Sequence, residues 1–281
     1  MMRSLWSASS GMIAQQTNLD NIANNLANVN TIGFKKDTVE FKSLLYQTLQ
    51  SKSTNNSGEQ KPIPAQVGLG VRTASITTTF TQGNLQASDN PTYMAIEGSG
   101  FFKVRNSNNE ICYTRDGNFN LNLTADGKSI LCTSDGHPVL DQNNNEIVIP
   151  DEYKTTDITV DRQGNLFVVN NEDKKVALKG VANGQEYEQK IGIVQFNNPS
   201  GLNDAGSNLY TQSVASGAPL EESETEGMKR SMVHQGYLEM SNVQVADEMV
   251  NMIVAQRAYE MNSKAIQASD EMLQQANNLR R

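Results

Sequence analysis

Both ends of the chain carry apolar residues at a spacing of seven, and this pattern constrains the fold most. Near the N-terminus, two interleaved heptad series predict the seam of an amphipathic helix: Leu5, Met12, Leu19 and Leu26, with Ile22 and Val29 three residues on. Near the C-terminus, a further series predicts a second helix with a broad apolar stripe: Val245, Met252, Tyr259, Ile266 and Leu273. Six asparagines between residues 18 and 30 weaken the first helix. We therefore expect the helices to pack on each other or on another chain. The alternative is that each helix packs on the core of its own domain.

The middle of the chain has a different pattern. Turn dipeptides Asp-Gly at 116–117, 126–127 and 135–136 separate short apolar or alternating runs, which is typical of an antiparallel β domain. The predicted strands are Ile111–Thr114, Phe119–Leu123, Ser129–Thr133, Ile147–Ile149, Ile158–Val160, Leu166–Val169 and Ile191–Phe196.

The fold class predicted is α+β, with the terminal helices paired in a coiled-coil-like layer and a central, mainly antiparallel β domain. The expected boundaries are 1–35 with 236–281 for the helical domain, 36–75 for an extended arm or linker, 76–215 for the β domain and 216–235 for an acidic return linker. The glutamates of that linker, at 221, 222, 224 and 226, are expected to be solvated.

Charge and hydropathy exclude several classes of function. The chain has 23 Lys+Arg against 31 Asp+Glu and a net charge of −8, which argues against binding nucleic acid. No apolar run is long enough to span a bilayer, so membrane insertion is not expected. Arg3 is not followed by an apolar stretch, so we expect no cleaved secretory signal peptide.

Residues that could carry chemistry are few. Asp141, Asn143, Asn145 and Glu152 have the spacing of a calcium loop, but Glu146 occupies the glycine position, which favours a polar hairpin loop. Cys112 and Cys132 fall on neighbouring predicted strands; a disulfide is possible, and free thiols are favoured. The two histidines have no partner at ligand spacing. We therefore predict no metal, no cofactor and no catalysis.

Several segments resemble the signatures of flagellar rod and hook proteins, a family of axial proteins. They are NLDNIANNLANVNTIGFKK (18–36), FTQGNLQ (80–86), AIEGSGFFKV (95–104), YTRDGNF (113–119) and SNVQVADEMVNMIVAQRAYEMNSKAIQASDEML (241–273). RSLWSASSGMIAQQTNLDNIANN (3–25) and SLLYQTLQ (43–50) point to the rod members of this family.

The resemblance implies a structural subunit of the distal rod in the flagellar basal body, without enzymatic activity. Such subunits place their paired helices in an inner layer and polymerise into a rigid helical tube that spans the periplasm and transmits motor torque to the hook. The implied partners are other copies of the chain, proximal rod and hook proteins at its ends, surrounding ring proteins and the flagellar export apparatus. The alternatives are a hook or proximal rod subunit and, from other classes, a cell-wall-associated enzyme or a secreted adhesin.

The resemblance also assigns roles to two groups of residues. The family motif comprises Asn28, Asn30, Thr31, Gly33, Phe34 and Lys35. Gly33 is interpreted as a backbone turn after the first helix, Phe34 as its anchor, and Lys35 and Lys36 as facing solvent or a neighbour. The alternative is an ordinary helix stop.

A segment between residues 46 and 70 is interpreted, by resemblance, as an arm that stiffens the rod. Pro62 and Pro64 fix their φ angles, and Tyr46, Ile63 and Val67 are candidate apolar anchors. The polar run 51–61 favours the alternative of a solvated loop.

Overall fold

The computed structural model describes residues 2–50, 65–124, 129–150, 153–154, 157–169, 175–182, 185–222 and 227–279. The chain divides into two compact units. The helical unit comprises Met1–Ala27, Asp37–Thr78 and Gln244–Arg281, and the central unit comprises Asn28–Lys36 and Thr79–Val243. The α+β class is confirmed.

Two long helices form the helical unit: α1 (Met2–Ala27) and α2 (Val245–Asn278). They run antiparallel, because Ser4 lies 3.4 Å from Ser269 between hydroxyl oxygens, whereas Gly11 lies against Asn262. Small residues allow this approach, and Ala8, Ala14 and Ala255 are buried. Among the described residues, neither helix is long and apolar enough to cross a membrane.

A long two-stranded ribbon completes this unit. β1 (Asp37–Ser43) pairs with β4 (Val71–Thr78), and β2 (Tyr46–Gln50) pairs with β3 (Ala65–Gly68), both antiparallel. The Leu44 N–H donates to the Gly70 carbonyl at 2.9 Å and joins the two pairs. The described parts of the segment predicted as an extended arm are therefore paired strands, which satisfy backbone groups of each other.

The side chain of Asn25 fixes where this ribbon begins. Its amide nitrogen donates to the Asp37 carbonyl at 2.9 Å, and its oxygen accepts the Asp37 N–H at 3.0 Å. Asn25 is buried, so a polar residue on the helix satisfies the first residue of β1. One of the asparagines that weaken the helix thus has a structural role.

The central unit is built of short strands. They are β5 (Leu85–Ala87), β6 (Met94–Glu97), β7 (Phe101–Arg105), β8 (Ile111–Thr114), β9 (Phe119–Leu123), β10 (Ser129–Thr133), β11 (Val148–Ile149), β12 (Ile158–Val160), β13 (Leu166–Val169), β14 (Lys175–Ala177), β15 (Lys179–Ala182), β16 (Gln185–Glu188), β17 (Ile193–Gln195), β18 (Asn203–Gly206), β19 (Leu209–Thr211), β20 (Leu220–Glu221), β21 (Met232–Gln235) and β22 (Tyr237–Glu239). The largest sheet has the order β18-β19-β8-β7-β17-β20, and its strand pairs are antiparallel. A short 3₁₀ turn spans Pro199–Gly201.

An apolar core lies among these strands. Phe102, Phe119, Leu131, Ile147 and Ile191 are fully or almost fully buried in it. A second, aromatic cluster packs Phe101 edge-on against Phe80 and Phe196, with ring centroids 5.3 and 5.8 Å apart. Edge-to-face geometry of this kind adds about 0.5–1.5 kcal/mol per pair beyond burial of area.

The observed units differ from the expected boundaries at both junctions. Residues 28–35 and 236–243, expected in the helical domain, belong to the central unit. The expected return linker is also part of the β structure, since β20 pairs with β17 and β21 pairs with β6. The expectation that its glutamates are solvated is wrong for Glu222, which is buried because its carboxylate accepts hydrogen bonds from Ser231 and Gln195.

Candidate assembly surface

Large apolar side chains cover much of the outer surface of the two helices. The exposed fraction is 71% for Trp6, 64% for Ile13 and 65% for Met261. A single exposed apolar residue is ordinary, but many large ones on the same two helices favour an interaction site. We define the assembly surface as the exposed apolar residues of α1 and α2: Trp6, Ile13, Val245, Met249, Val250, Ile253, Val254, Tyr259, Met261, Met272 and Leu273.

The contact between α1 and α2 uses other positions. On α2 the buried residues are Glu248, Ala255 and Ser269, which share one heptad series with Asn262. This series lies three residues beyond the predicted one. The helices therefore approach through small and polar residues, and large apolar residues of α2 stay outside the contact.

The predicted seam residues divide accordingly. Ile22 is buried within the helical unit, whereas Val245, Tyr259 and Leu273 are exposed and belong to the assembly surface. Leu5, Met12, Leu19, Leu26, Met252 and Ile266 are half-buried. The placement of Val29 on the helical seam is wrong, since α1 ends at Ala27 and Val29 lies in a turn of the central unit.

A substitution at Gly11 can test the packing of α1 on α2, because Gly11 lies against Asn262. A Cβ added there would lie 2.8 Å from the amide nitrogen of Asn262, a side-chain tip that can shift. We expect Gly11→Ala to be tolerated and Gly11→Leu to destabilise the helical unit by about 1–3 kcal/mol through overpacking. Circular dichroism at 222 nm during thermal unfolding measures the difference. Equal melting of the two variants would contradict this packing.

The family motif forms a turn in the central unit. The Thr31 hydroxyl donates to the Asn28 side-chain oxygen at 3.0 Å, and the Thr31 N–H donates to the Asn28 carbonyl at 3.2 Å. Gly33 has φ +70°, and a Cβ there would lie 2.6 Å from the backbone nitrogen of Asp116. Both the conformation and the contact therefore require glycine. Phe34 is half-buried and Asn30 is exposed.

Lys35 is buried in an ion cluster, so the expectation that it faces solvent or a neighbour is wrong. Its ammonium lies 2.6 Å from the Glu239 carboxylate, which also lies 3.3 Å from the Arg115 guanidinium. We call Lys35, Arg115 and Glu239 the buried ion cluster. All three side chains are at most 1% exposed. Lys36, by contrast, is half-buried.

The surroundings of the buried ion cluster satisfy much of its hydrogen-bonding capacity. Lys35 donates to the Thr81 carbonyl at 2.9 Å, and Arg115 donates to the Gly98 carbonyl at 2.7 Å. The Glu239 carboxylate also accepts the Gly83 N–H at 2.9 Å. Burial lowers the pKa of Lys35 and of Arg115, and the Glu239 charge opposes this in both cases.

The buried ion cluster joins two segments of the central unit that are far apart in sequence. The first follows α1 in sequence and carries Lys35; the second precedes α2 and carries Glu239. A backbone hydrogen bond from the Gly33 N–H to the Glu239 carbonyl, 2.8 Å long, adds a second link between them. The family motif therefore fixes the path of the chain rather than presenting a charged surface.

The described part of the ribbon exposes apolar side chains. Leu45, Tyr46 and Leu49 are more than half exposed, and Val67 is 36% exposed. The Tyr46 ring covers the backbone of Gly68 on the opposite strand, 3.4 Å from a Cβ built there. Pro62, Ile63 and Pro64, the other predicted arm residues, lie outside the described residues.

The predicted calcium-loop residues that the structure describes form a hydrogen-bonded turn. The Asp141 carboxylate accepts the N–H groups of Asn143 and Asn145 at 2.8 and 2.9 Å, and it accepts the Tyr187 hydroxyl. Glu152 lies outside the described residues. Within the described ranges, no group of three or more His, Cys, Asp or Glu side chains has the arrangement of a metal site.

Cys112 and Cys132 are buried and unbridged. Cys112 lies on β8 and Cys132 on β10, and these strands belong to different sheets. Burial raises the pKa of both thiols, which lowers their reactivity.

The helical layer, the exposed apolar surface and the central β unit define a structural protein of an extended assembly. Three family models match the chain: "Flagella basal body rod protein" at residues 5–35, "Flagellar hook protein FlgE/F/G D1 domain" at 95–168, and "Flagellar basal body rod FlgEFG protein C-terminal" at 234–279. The chain belongs to the family of the flagellar basal-body rod protein FlgG, as the following relatives show.

The FlgG rod protein of Borreliella burgdorferi is 45% identical over 284 residues, which cover 100% of both chains. The FlgG rod protein of Bacillus subtilis is 40% identical over 281 residues, again covering 100% of both. The hook-basal body complex protein FlhP of Bacillus subtilis is 31% identical over 287 residues, with the same coverage. The chain is thus a structural flagellar rod protein of the basal body, not an enzyme, and it assembles with other rod and hook proteins.

Proposed function

We propose that this chain polymerises head to tail into the helical tube of the distal rod, with neighbouring helical units packed on each other through the assembly surface. The observation that carries the proposal is the set of large apolar side chains on α1 and α2 that the contact between the two helices leaves exposed. Burial of apolar surface contributes about 25 cal/mol per Å², so the assembly surface favours association strongly. A head-to-tail contact whose rotation does not close generates an open helical tube.

In this proposal the tube is a drive shaft that crosses the periplasm and transmits motor torque to the hook. Its ends contact proximal rod and hook proteins, ring proteins surround it, and subunits reach it through the flagellar export apparatus. The family membership and the separate helical and β units support this arrangement. The hook or proximal rod subunit, the cell-wall-associated enzyme and the secreted adhesin are not favoured, because FlgG rod proteins match the full chain at up to 45% identity.

The ribbon is the proposed stiffening element of the tube. Leu45, Tyr46 and Leu49 on its described part provide apolar anchors for a neighbouring subunit. A contact that spans two subunits resists the sliding that accompanies bending. We propose that residues 51–64 also contribute to this contact with the neighbouring subunit.

One charge on the assembly surface tests the polymerisation proposal. Val254 is 62% exposed on α2, so Val254→Asp leaves the fold of the monomer intact but buries a carboxylate when neighbours pack. We expect the critical concentration for tube formation to rise at least about a hundredfold, the equivalent of roughly 3 kcal/mol. Analytical ultracentrifugation measures the assembled fraction, and electron microscopy shows the tubes.

The matched control is Gln256→Asp, an exposed polar position of the same helix. It adds the same charge without removing an apolar side chain, and its critical concentration should stay within a few-fold of the wild type. Straight tubes from Val254→Asp at the wild-type critical concentration would contradict the role of the assembly surface.

A further inference from the structure

A cavity in the central unit has a cationic rim, although the protein as a whole is acidic. Its volume is about 350 Å³. Three cationic side chains line it: Arg162, Lys190 and Arg230. In a chain with a net charge of −8, such a local concentration of positive charge points to an acidic ligand. We call this cavity the basic pocket.

Within the described residues, the positive charge of the basic pocket is only partly offset, by the Glu222 carboxylate. There, the side chains of Arg162, Lys190 and Arg230 make no hydrogen bond and no salt bridge. Burial lowers the pKa of Lys190, the Arg230 charge lowers it further, and Glu222 raises it. The Lys190 ammonium is therefore partly buried beside a like charge. An additional carboxylate nearby would stabilise its charged form.

Among the described residues that line the pocket, Glu222 carries the one carboxylate, and it is already hydrogen-bonded. Glu222 accepts the Ser231 N–H at 2.8 Å, the Ser231 hydroxyl at 2.6 Å and the Gln195 amide at 2.6 Å. These bonds hold both of its oxygens toward the strands β17 and β21. Glu222 thus contributes its charge to the pocket, but its carboxylate oxygens already accept three hydrogen bonds and are less free to pair with the three cations.

The rest of the lining fits a peptide side chain rather than a bare inorganic anion. Ile191 and Ile193 are buried aliphatic residues, and Met232 is partly exposed beside them. Gln142 and Gln163 add amide donors. An apolar surface below a rim of cations and amides matches a glutamate or aspartate side chain, whose methylene groups precede its carboxylate.

We propose that the basic pocket binds an acidic segment of a second copy of this chain. The inference rests on the proposed polymerisation. Each subunit carries a net charge of −8, so neighbours repel each other unless local contacts pair opposite charges. A head-to-tail contact joins two different surfaces, so a basic pocket on one subunit can meet an acidic surface on the next.

Zero-length crosslinking of assembled protein tests this contact without any variant. A carbodiimide condenses the Lys190 amine with a carboxylate in direct contact, forms an amide bond and releases water as the carbodiimide becomes a urea. Assembly from an equal mixture of ¹⁴N- and ¹⁵N-labelled subunits distinguishes links between molecules from links within one. We expect a Lys190 crosslink to an aspartate or glutamate with the mixed-isotope mass pattern. A crosslink confined to one molecule, or no Lys190 crosslink in assembled tubes, would overturn the proposal.

Removal of the charge provides a second, independent measurement. We expect Lys190→Gln combined with Arg230→Gln to raise the critical concentration for assembly about tenfold, with the melting temperature of the central unit unchanged. Lys175→Gln is the matched control, because Lys175 is exposed and lines a different cavity. Its critical concentration should equal that of the wild type.

The two proposals fail in distinguishable ways. If the double variant forms tubes at the wild-type critical concentration, the basic pocket has no role between copies and the proposed polymerisation stands. If the wild type forms no tubes at any concentration, polymerisation is wrong and the inference about the pocket falls with it.

Discussion

Replacing Glu239 by glutamine is expected to lower the free energy of unfolding of the central unit by about 3–5 kcal/mol, because it leaves two buried cations without their counter-charge. The Glu239 carboxylate lies 2.6 Å from the Lys35 ammonium and 3.3 Å from the Arg115 guanidinium. Solvent does not reach these groups, so water cannot replace the lost charge. For a unit of this size the melting temperature should fall by roughly 10 °C. Urea and thermal unfolding measure both quantities.

Glu97→Gln is the matched control for this prediction. The Glu97 carboxylate lies 2.7 Å from a ring nitrogen of His234, but the Glu97 side chain is 56% exposed. Exposed pairs contribute about 0–1 kcal/mol, so this variant should remain close to the wild type. If the two glutamine variants lose the same stability, the buried ion cluster does not have the role described.

A second variant distinguishes stability lost through unpaired charge from stability lost through altered packing. Lys35→Met combined with Glu239→Gln removes one cation together with the carboxylate. Arg115 then keeps its bond to the Gly98 carbonyl and its place over the Phe101 ring, 4.9 Å from the centroid. We expect the double variant to recover part of the lost stability, because residues of one network are not additive.

Some of the β strands of the central unit were predictable from the sequence. Residues 111–114, 119–123 and 129–133 form strands with the predicted bounds, and so do 158–160 and 166–169. Local signals suffice there, because alternating apolar residues and Asp-Gly turns act within a few positions of the chain. The pairing order of the sheets was not predictable, since β7 pairs with β17 across a long sequence separation.

The buried ion cluster shows where sequence reasoning fails. Lys35 and Glu239 are 204 positions apart, and no local pattern links them. A lysine after a helix is ordinarily solvated, and only the fold supplies the counter-charge that permits its burial. The one local signal was Gly33, whose positive φ marks a constrained turn next to Lys35.

The two helices and their pairing were predicted, but the residues that form the contact on α2 were not. The heptad of large apolar residues is real, yet Val245, Tyr259 and Leu273 are exposed. A second heptad series, three residues further along α2, is buried instead and contains Glu248, Ala255 and Ser269. Apolar periodicity predicts that a helix face packs on a partner, and it cannot distinguish a partner within the chain from a partner in another subunit.

The ribbon allows a precise test of stiffness, because its register shows where it can be shortened. Gln50 and Ala65 are paired across β2 and β3, so an Asn-Gly turn can join them directly in place of residues 51–64. Both helices and the assembly surface remain in this variant. We therefore expect tubes to form, but as curved or flexible filaments, because the proposed contact that resists sliding between subunits is absent. Electron microscopy gives the curvature and persistence length of the filaments.

A variant of unchanged length distinguishes the role of sequence from that of length. Residues 51–64 are replaced by an equally long run of Gly and Ser, which removes Pro62, Ile63 and Pro64 but keeps the reach of the chain. If stiffness depends on a packed contact, this variant should yield filaments as flexible as the shortened one. If it depends only on the presence of a loop of that length, the Gly-Ser variant should form straight tubes. Straight, stiff tubes from both variants would exclude residues 51–64 as the source of rigidity and leave the assembly surface of the helices to provide it.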